Sequence, residues 1–183
     1  MSLIKKFKEA KAETIVKNFD NASEPKIKVI NNQFYKVIET DKSSIGKSGI
    51  IFLEPIVMEY SKRMGVSAPI VVGIDEDDTL ALFVTEKVSG QVGLDFVNQH
   101  PELKEKVKLK IETLKKDYLK IGIKRQFDLK DMMIDFQEGN LNITPLDFER
   151  VKYTKDIDLN KIIEICNDWG IDVPKQVQNM LDA

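Results

Sequence analysis

Apolar residues recur along this chain with two different periods, and the change of period divides it. Leu3, Ile4, Phe7 and Ala10 lie at helical spacing among lysines and glutamates, which predicts a short amphipathic helix over residues 3–13. Three β-type runs follow at Thr14–Phe19, Ile27–Ile30 and Phe34–Ile38. The turn-forming stretches Asp20–Pro25 and Asn31-Asn32 separate them, so a three-stranded antiparallel meander is expected. A polar loop from Glu39 to Ser48 leads into Gly49–Tyr60, most of which is expected to be helix, with Pro55 tolerable only near its first turn. Val66-Ser67-Ala68-Pro69 ends that helix. Ile70–Ile74, an acidic turn at Asp75–Asp78 and Thr79–Val84 predict a hairpin, which Thr85–Gly90 leaves. Residues 1–90 therefore read as five strands with one helix between the third and fourth.

From Leu94 the character changes. Pro101–Leu119 is charged, with an apolar stripe at Leu103, Val107, Ile111, Leu114 and Leu119, as in a solvated helix lying on a core. The next stretch, Gly122 to Arg150, carries two aspartates in different settings. Asp128 follows a Gly-Ile turn and a short polar run. Asp147 ends an apolar strand-like segment reached through the turn signal Gln137-Glu138-Gly139-Asn140. Two short helices close the chain, over Leu159–Trp169 and Val173–Leu181, with Gly170 as a stop and Pro174 in a first turn. No internal repeat or low-complexity segment is present.

Composition changes this picture little. The 183 residues suit one domain or two small lobes, and 42% hydrophobic with 32% charged residues is ordinary for a globular protein. A formal net charge of −2 gives no sign of a nucleic-acid partner. No apolar run approaches the ~20 residues that span a bilayer, and the first residues lack the apolar core of a secretory signal. Cys166 is the only cysteine and His100 the only histidine, which excludes an intramolecular disulfide and argues against structural zinc. Both read as structural residues, as does Trp169. A cytoplasmic protein is expected, or an effector delivered into another cell by a route without a classical signal.

The order of elements, with Lys36 in the third strand, Glu54 in the following helix and an Asp-loop-hairpin-Asp unit later, resembles the protein-kinase-like superfamily. The similarity is to aminoglycoside and other small-molecule phosphotransferases and to minimal bacterial effector kinases, over residues 14–150. It implies an α+β, two-lobe fold: a five-stranded antiparallel N-lobe sheet with one helix over residues 1–88, and a reduced, mainly helical C-lobe over 89–183. It also implies binding of ATP with Mg²⁺ and transfer of the γ-phosphate to a hydroxyl of a protein or small molecule. With so few residues after Asp147, it leaves no room for a long activation segment, and it implies a protein partner that completes the site.

Residue by residue, the resemblance makes Lys36 the lysine that binds the α/β-phosphates and Glu54 its ion-pair partner, with Glu59 as the competing carboxylate. The stretch from Glu86 through Val88 to Gly90 resembles the connection whose backbone reads the adenine edge. Asp128 takes the place of the catalytic aspartate in a degenerate His-Arg-Asp-like loop, and Lys130 that of the lysine facing the γ-phosphate. Asp147, in Leu146-Asp147-Phe148-Glu149, takes the place of the metal-binding aspartate. Two departures stand out. Met133 occupies the position of the metal-binding asparagine, and its soft thioether suits Mg²⁺ poorly, which leaves Asp131 or Asp135 as substitutes. The loop between the first two strands, Asp20–Pro25, has no glycine, so Ser23 and backbone amides take over phosphate contact. These departures keep open a catalytically inactive, pseudokinase-like binding module. A P-loop-type nucleotide binder is the further alternative, from Ile45-Gly46-Lys47-Ser48, but Asp41 stands where its first glycine belongs.

Overall fold

The computed structural model describes residues 2–9, 14–16, 27–38, 53–77, 80–148 and 151–181. In chain order these form α1 (Leu3–Glu9), β1 (Thr14–Val16), β2 (Ile27–Ile30), β3 (Gln33–Ile38), α2 (Leu53–Arg63), β4 (Val71–Glu76) and β5 (Ala81–Glu86). There follow β6 (Gln91–Val92), α3 (Gly93–Gln99), α4 (Lys104–Lys120), β7 (Ile123–Lys124), β8 (Met132–Gln137) and β9 (Asn140–Pro145). The last elements are β10 (Lys152–Tyr153), α5 (Leu159–Trp169) and α6 (Lys175–Leu181). The fold is α+β with antiparallel sheets. The described residues divide into two compact units, one drawn from Met1–Ile56, Ile70–Lys87 and Ile163–Ala183, the other from Val57–Pro69 and Val88–Ile162.

In the first unit the strands run in the order β1-β2-β3-β5-β4. Asn31 and Asn32 join β2 to β3 with φ of 50° and 60°, the two-residue turn whose twist matches the flanking strands. Alternation along β3 then sorts side chains by face. Tyr35 and Val37 are buried at 1% and 7% exposure, in one cluster with Leu82 and Val84 of β5 and with Ile4 and Phe7 of α1. Asp75 accepts the Ile4 amide at 3.0 Å, and Lys28 reaches the Phe7 carbonyl at 3.1 Å, which tie α1 down. Strand β5 has β3 and β4 as neighbours and is buried from Ala81 to Thr85, the reason it reads as an unbroken apolar run. The acidic stretch expected as a turn from Asp75 begins later, since β4 runs on through Glu76.

In the second unit, α4 buries Val107, Ile111, Leu114 and Tyr118. The last position of its stripe is therefore Tyr118, whereas Leu119 is 47% exposed. The helix packs on β9 of a sheet ordered β6-β8-β9. Helix α3, which opens at Gly93 and ends in the polar Asn98-Gln99, was not foreshadowed by any clear apolar period. A two-stranded ribbon pairs β7 with β10. Tyr60, fully buried, binds the Ile121 carbonyl at 2.9 Å and accepts the Asp158 amide at 3.0 Å through one hydroxyl. Among the terminal elements, α5 has the expected bounds, α6 begins at Lys175 just after Pro174, and Gly170 turns with φ of 66°. Cys166 is buried at 0% exposure, and burial pushes its thiol up to about 11. Among the described residues no helix is long and apolar enough to cross a membrane.

Gly122, between α4 and β7, has φ of 77°, and a Cβ there would lie 2.2 Å from the Ile157 nitrogen. The Gly122 carbonyl also accepts the Thr154 amide at 2.8 Å, so the two backbones are held in close approach. Gly139 has a similar φ of 81° but open space around it. Gly139→Ala is expected to cost about 1 kcal/mol from the left-handed conformation alone. Gly122→Ala should cost at least about 3 kcal/mol, because backbone must also shift. Urea unfolding of the two variants checks this, and equal losses would contradict it.

Candidate functional site

Lys36 leaves β3 on the face opposite Tyr35 and Val37, and Glu54 rises from the first turn of α2, where the helix N-terminus favours a carboxylate. Their Nζ and Oε2 atoms are 2.7 Å apart, a short charge-assisted contact. The glutamate side chain is 8% exposed and the lysine side chain 24%. Lys36 also lies 6.0 Å from the ring of Phe83 on β5. Glu59, the competing partner, pairs instead with Arg63 at 2.8 Å one turn along the same helix. Glu54 is thus a buried carboxylate with a lysine ammonium in close contact.

The stretch Glu86–Gly90 begins with two committed amides. Glu86 donates to the Ile70 carbonyl and Lys87 to the Asn32 carbonyl, both at 2.9 Å. Val88 is half-buried, and Gly90 has φ of 108°. A Cβ on Gly90 would lie 2.2 Å from the Ile134 carbonyl oxygen, so this position accepts only glycine.

The aspartates of the second unit are gathered by a hairpin. Strands β8 and β9 pair from Gln137↔Asn140 to Met132↔Pro145, and Glu138 and Gly139 turn between them with positive φ. The residues just outside that ladder are therefore opposite one another, and the Leu146 amide donates to the Asp131 carbonyl at 2.8 Å. This brings Asp147 to the 3₁₀ turn Leu129–Asp131 that follows Asp128. The Asp128 carboxylate caps that turn, accepting the Lys130 amide at 3.3 Å, with the exposed Lys130 ammonium 3.7 Å away. Burial raises the Asp131 carboxyl above its ordinary range, and the charges of Asp147 and Asp128 push the same way against Lys130 and Arg125. Met133 lies in β8, paired with Val92 and Thr144, and Asp135 accepts from Gln137 at 3.1 Å.

Arg125 was not singled out by sequence. Its guanidinium carbon lies 4.3 Å from the ring centre of Phe148, 5.0 Å from Phe127 and 5.8 Å from Tyr118. Phe127 precedes Asp128 and Phe148 follows Asp147, so one cation stacks on the neighbour of each aspartate. Burial lowers the Arg125 pKa, while Tyr118, Asp147 and Asp131 favour its charged form. Its Nη1 is buried without a hydrogen-bond partner. Tyr118 anchors the cage by donating to the Ser67 carbonyl at 2.6 Å. The sequence shows only that an aromatic adjoins each aspartate, Phe127 before Asp128 and Phe148 after Asp147.

The first unit thus brings Lys36 to Glu54, and the second brings Asp128, Lys130, Asp131 and Asp147 together beside Arg125. Ser23, Glu149 and the Ile45–Ser48 stretch lie outside the described residues. Among the described residues no group of three or more histidine, cysteine, aspartate or glutamate side chains is arranged to hold a metal ion. No protein-family model and no curated protein matches the chain.

Two outcomes are expected from these geometries. Lys36→Met should destabilise the protein by about 3 kcal/mol, the low end for breaking a buried pair because the lysine keeps partial exposure. The double variant Lys36→Met/Glu54→Met should lose less than the sum of the singles, since no buried charge is then left alone. Additive losses in urea unfolding would show that the pair does not act as a unit. For Asp131 the folded protein holds the proton more tightly than the unfolded chain, so its contribution to stability falls as pH rises from the ordinary carboxylate value through the raised one. Asp131→Asn removes this slope, and the variant should gain on the wild type as pH rises through that window. A constant difference across the same pH series would refute it.

Proposed function

We propose that the protein is a minimal kinase-like phosphotransferase that binds ATP and moves its γ-phosphate to a hydroxyl group of a protein or small molecule. The reading includes a protein-kinase-like two-lobe fold with a five-stranded N-lobe sheet. The observation that carries it is the 2.7 Å pair between a third-strand lysine and a glutamate in the first turn of the next helix. The return of Asp147 to the turn after Asp128 supports it from the second unit.

Lys36 binds the α/β-phosphates, and Glu54 holds it extended and charged. The Glu86 and Lys87 amides are already committed, so the amide contact to the adenine edge falls to Val88, beside the Glu86 carbonyl. Ser23 contributes to phosphate contact. Asp128 orients the acceptor hydroxyl and takes its proton, while Lys130 neutralises charge on the group in flight. Asp147 and Asp131 are the residues that would hold Mg²⁺, whose chemistry here is to neutralise the phosphate oxygens. Two carboxylates suffice, because Mg²⁺ keeps most of its ligands as water and phosphate. The Asp131 carboxyl, raised by burial and then by its acidic neighbours, is a group that a cation would relieve. The protein works in a cytoplasm, either its own or that of a cell into which it is delivered.

A second reading, an inactive nucleotide-binding or interaction module, is favoured by specific observations. Asp128 spends its carboxylate on a turn, and Met133 stands in a strand at the position where a hard ligand is needed. Thermal shift with a non-hydrolysable ATP analogue, with and without Mg²⁺, separates the two. Binding at a hundredfold excess over Kd stabilises by about 2.7 kcal/mol, a readily measured change. The phosphotransferase reading expects a metal-dependent shift and autophosphorylation that Asp147→Asn abolishes and the surface change Glu105→Gln leaves intact. A shift indifferent to metal, with no phosphate transfer, selects the inactive nucleotide binder, and no shift under any condition removes nucleotide binding from both readings.

A further inference from the structure

A groove lies along α4 where the helix meets the β8–β9 hairpin, within the second unit. Its larger part, about 610 Å³, has Lys106, Leu109, Lys110 and Thr113 on the helix side and Gly139 to Asn142 on the other. A smaller part, about 190 Å³, shares Lys110, Thr113 and Asn142 and continues to Asp117. Neither part includes a residue assigned to the nucleotide site.

Charge is distributed unevenly around α4. Three lysines outside the groove are matched within the helix, Lys108 with Glu105 at 3.9 Å, Lys115 with Glu112 at 2.6 Å and Lys120 with Asp117 at 2.9 Å, while Lys104 and Lys116 form no ion pair among the described residues. The two lysines that line the groove form no ion pair among the described residues. Lys106 is held in place by the Gly139 carbonyl at 2.7 Å, with its ammonium 5.3 Å from the ring of Phe136. Lys110 has no hydrogen-bond partner among the described residues. Between them Leu109 is 68% exposed, a large apolar side chain set in a cationic surround.

We propose that this groove docks an extended acidic segment of a partner protein, with carboxylates against Lys106 and Lys110 and an apolar side chain on Leu109. The helix side from Lys106 to Asp117 is about 16 Å long at 1.5 Å per residue. That length takes about five residues of extended chain at ~3.3 Å each. β9 borders no further strand among the described residues, and the exposed Asn140 and Asn142 on it carry amides that both donate and accept. Such groups suit the backbone of an extended peptide, with the side chains supplying selectivity. Asp117 at the far end limits the cationic stretch, so a long polyanion fits less well than a short acidic segment.

The test uses the full chain, a fluorescein-labelled peptide of alternating glutamate and leucine, and the same peptide with glutamine for glutamate. Anisotropy should show binding of the acidic peptide that weakens with salt, and little binding of the glutamine form. Amide shifts in ¹⁵N-labelled protein should move along residues 106–117 and 139–143. Lys110→Glu and Leu109→Ser, both at exposed positions, should each weaken binding by about tenfold or more. The equal charge change Lys116→Glu, away from the groove, should not. Absence of binding, equal binding of the glutamine peptide, shifts mapped elsewhere, or preference for phosphatidylserine vesicles over the peptide would each overturn the proposal. Because nucleotide plays no part in the assay, its outcome stands apart from that of the phosphotransferase reading.

Discussion

The pairing of Met132 with Pro145 closes a hairpin whose two strands are equal in length, and the chemistry of the second unit depends on that register. The chain leaves Asp128, crosses a single 3₁₀ turn, runs out along β8 and back along β9, and arrives at Asp147 beside its starting point. The Leu146 amide on the Asp131 carbonyl fixes the arrival. A slip of one residue would exchange the faces of β9, turning Leu141 and Ile143 out of the core and Asn140 and Asn142 into it. Packing therefore enforces the register strongly, and the aspartates inherit their nearness from a hydrophobic pattern that does not include them.

The two units handle buried charge differently. Glu54 is matched by Lys36 at close range, so each is costly to remove alone. Arg125 is surrounded by ring faces, with carboxylates acting through space, and one of its nitrogens has no acceptor at all. Its charge is stabilised by quadrupoles and by field, beside a long hydrogen bond from Nε to the Gln126 carbonyl at 3.3 Å.

Much of the first unit was legible because its signals are local. Alternation in β3 separated Lys36 from Tyr35 and Val37, and two asparagines at positive φ marked the turn before it. The pairing with Glu54 was legible from the resemblance and from Glu54 lying in a first helical turn, while periodicity alone did not choose between Glu54 and Glu59. Arg125 was not legible: in Lys124-Arg125-Gln126 it looks solvated, and its burial arises from Tyr118, Phe127 and Phe148, which meet only in three dimensions. Leu119 and Tyr118 compete for one helical face, and the choice between them was made by the Ser67 carbonyl that the tyrosine reaches. The α4 groove had no sequence signal, since lysines in a Lys/Glu-rich helix look alike until partners are assigned.

Cys166 has a consequence for how this molecule can be handled. It is the only cysteine, its side chain is enclosed, and its thiol is held protonated far above neutral pH. Thiolate is the reactive form, so the native chain presents almost no nucleophilic sulfur to maleimides or alkylating reagents under ordinary conditions. A cysteine introduced at any exposed position can therefore carry a dye or spin label selectively, with the natural residue left in place and the core undisturbed.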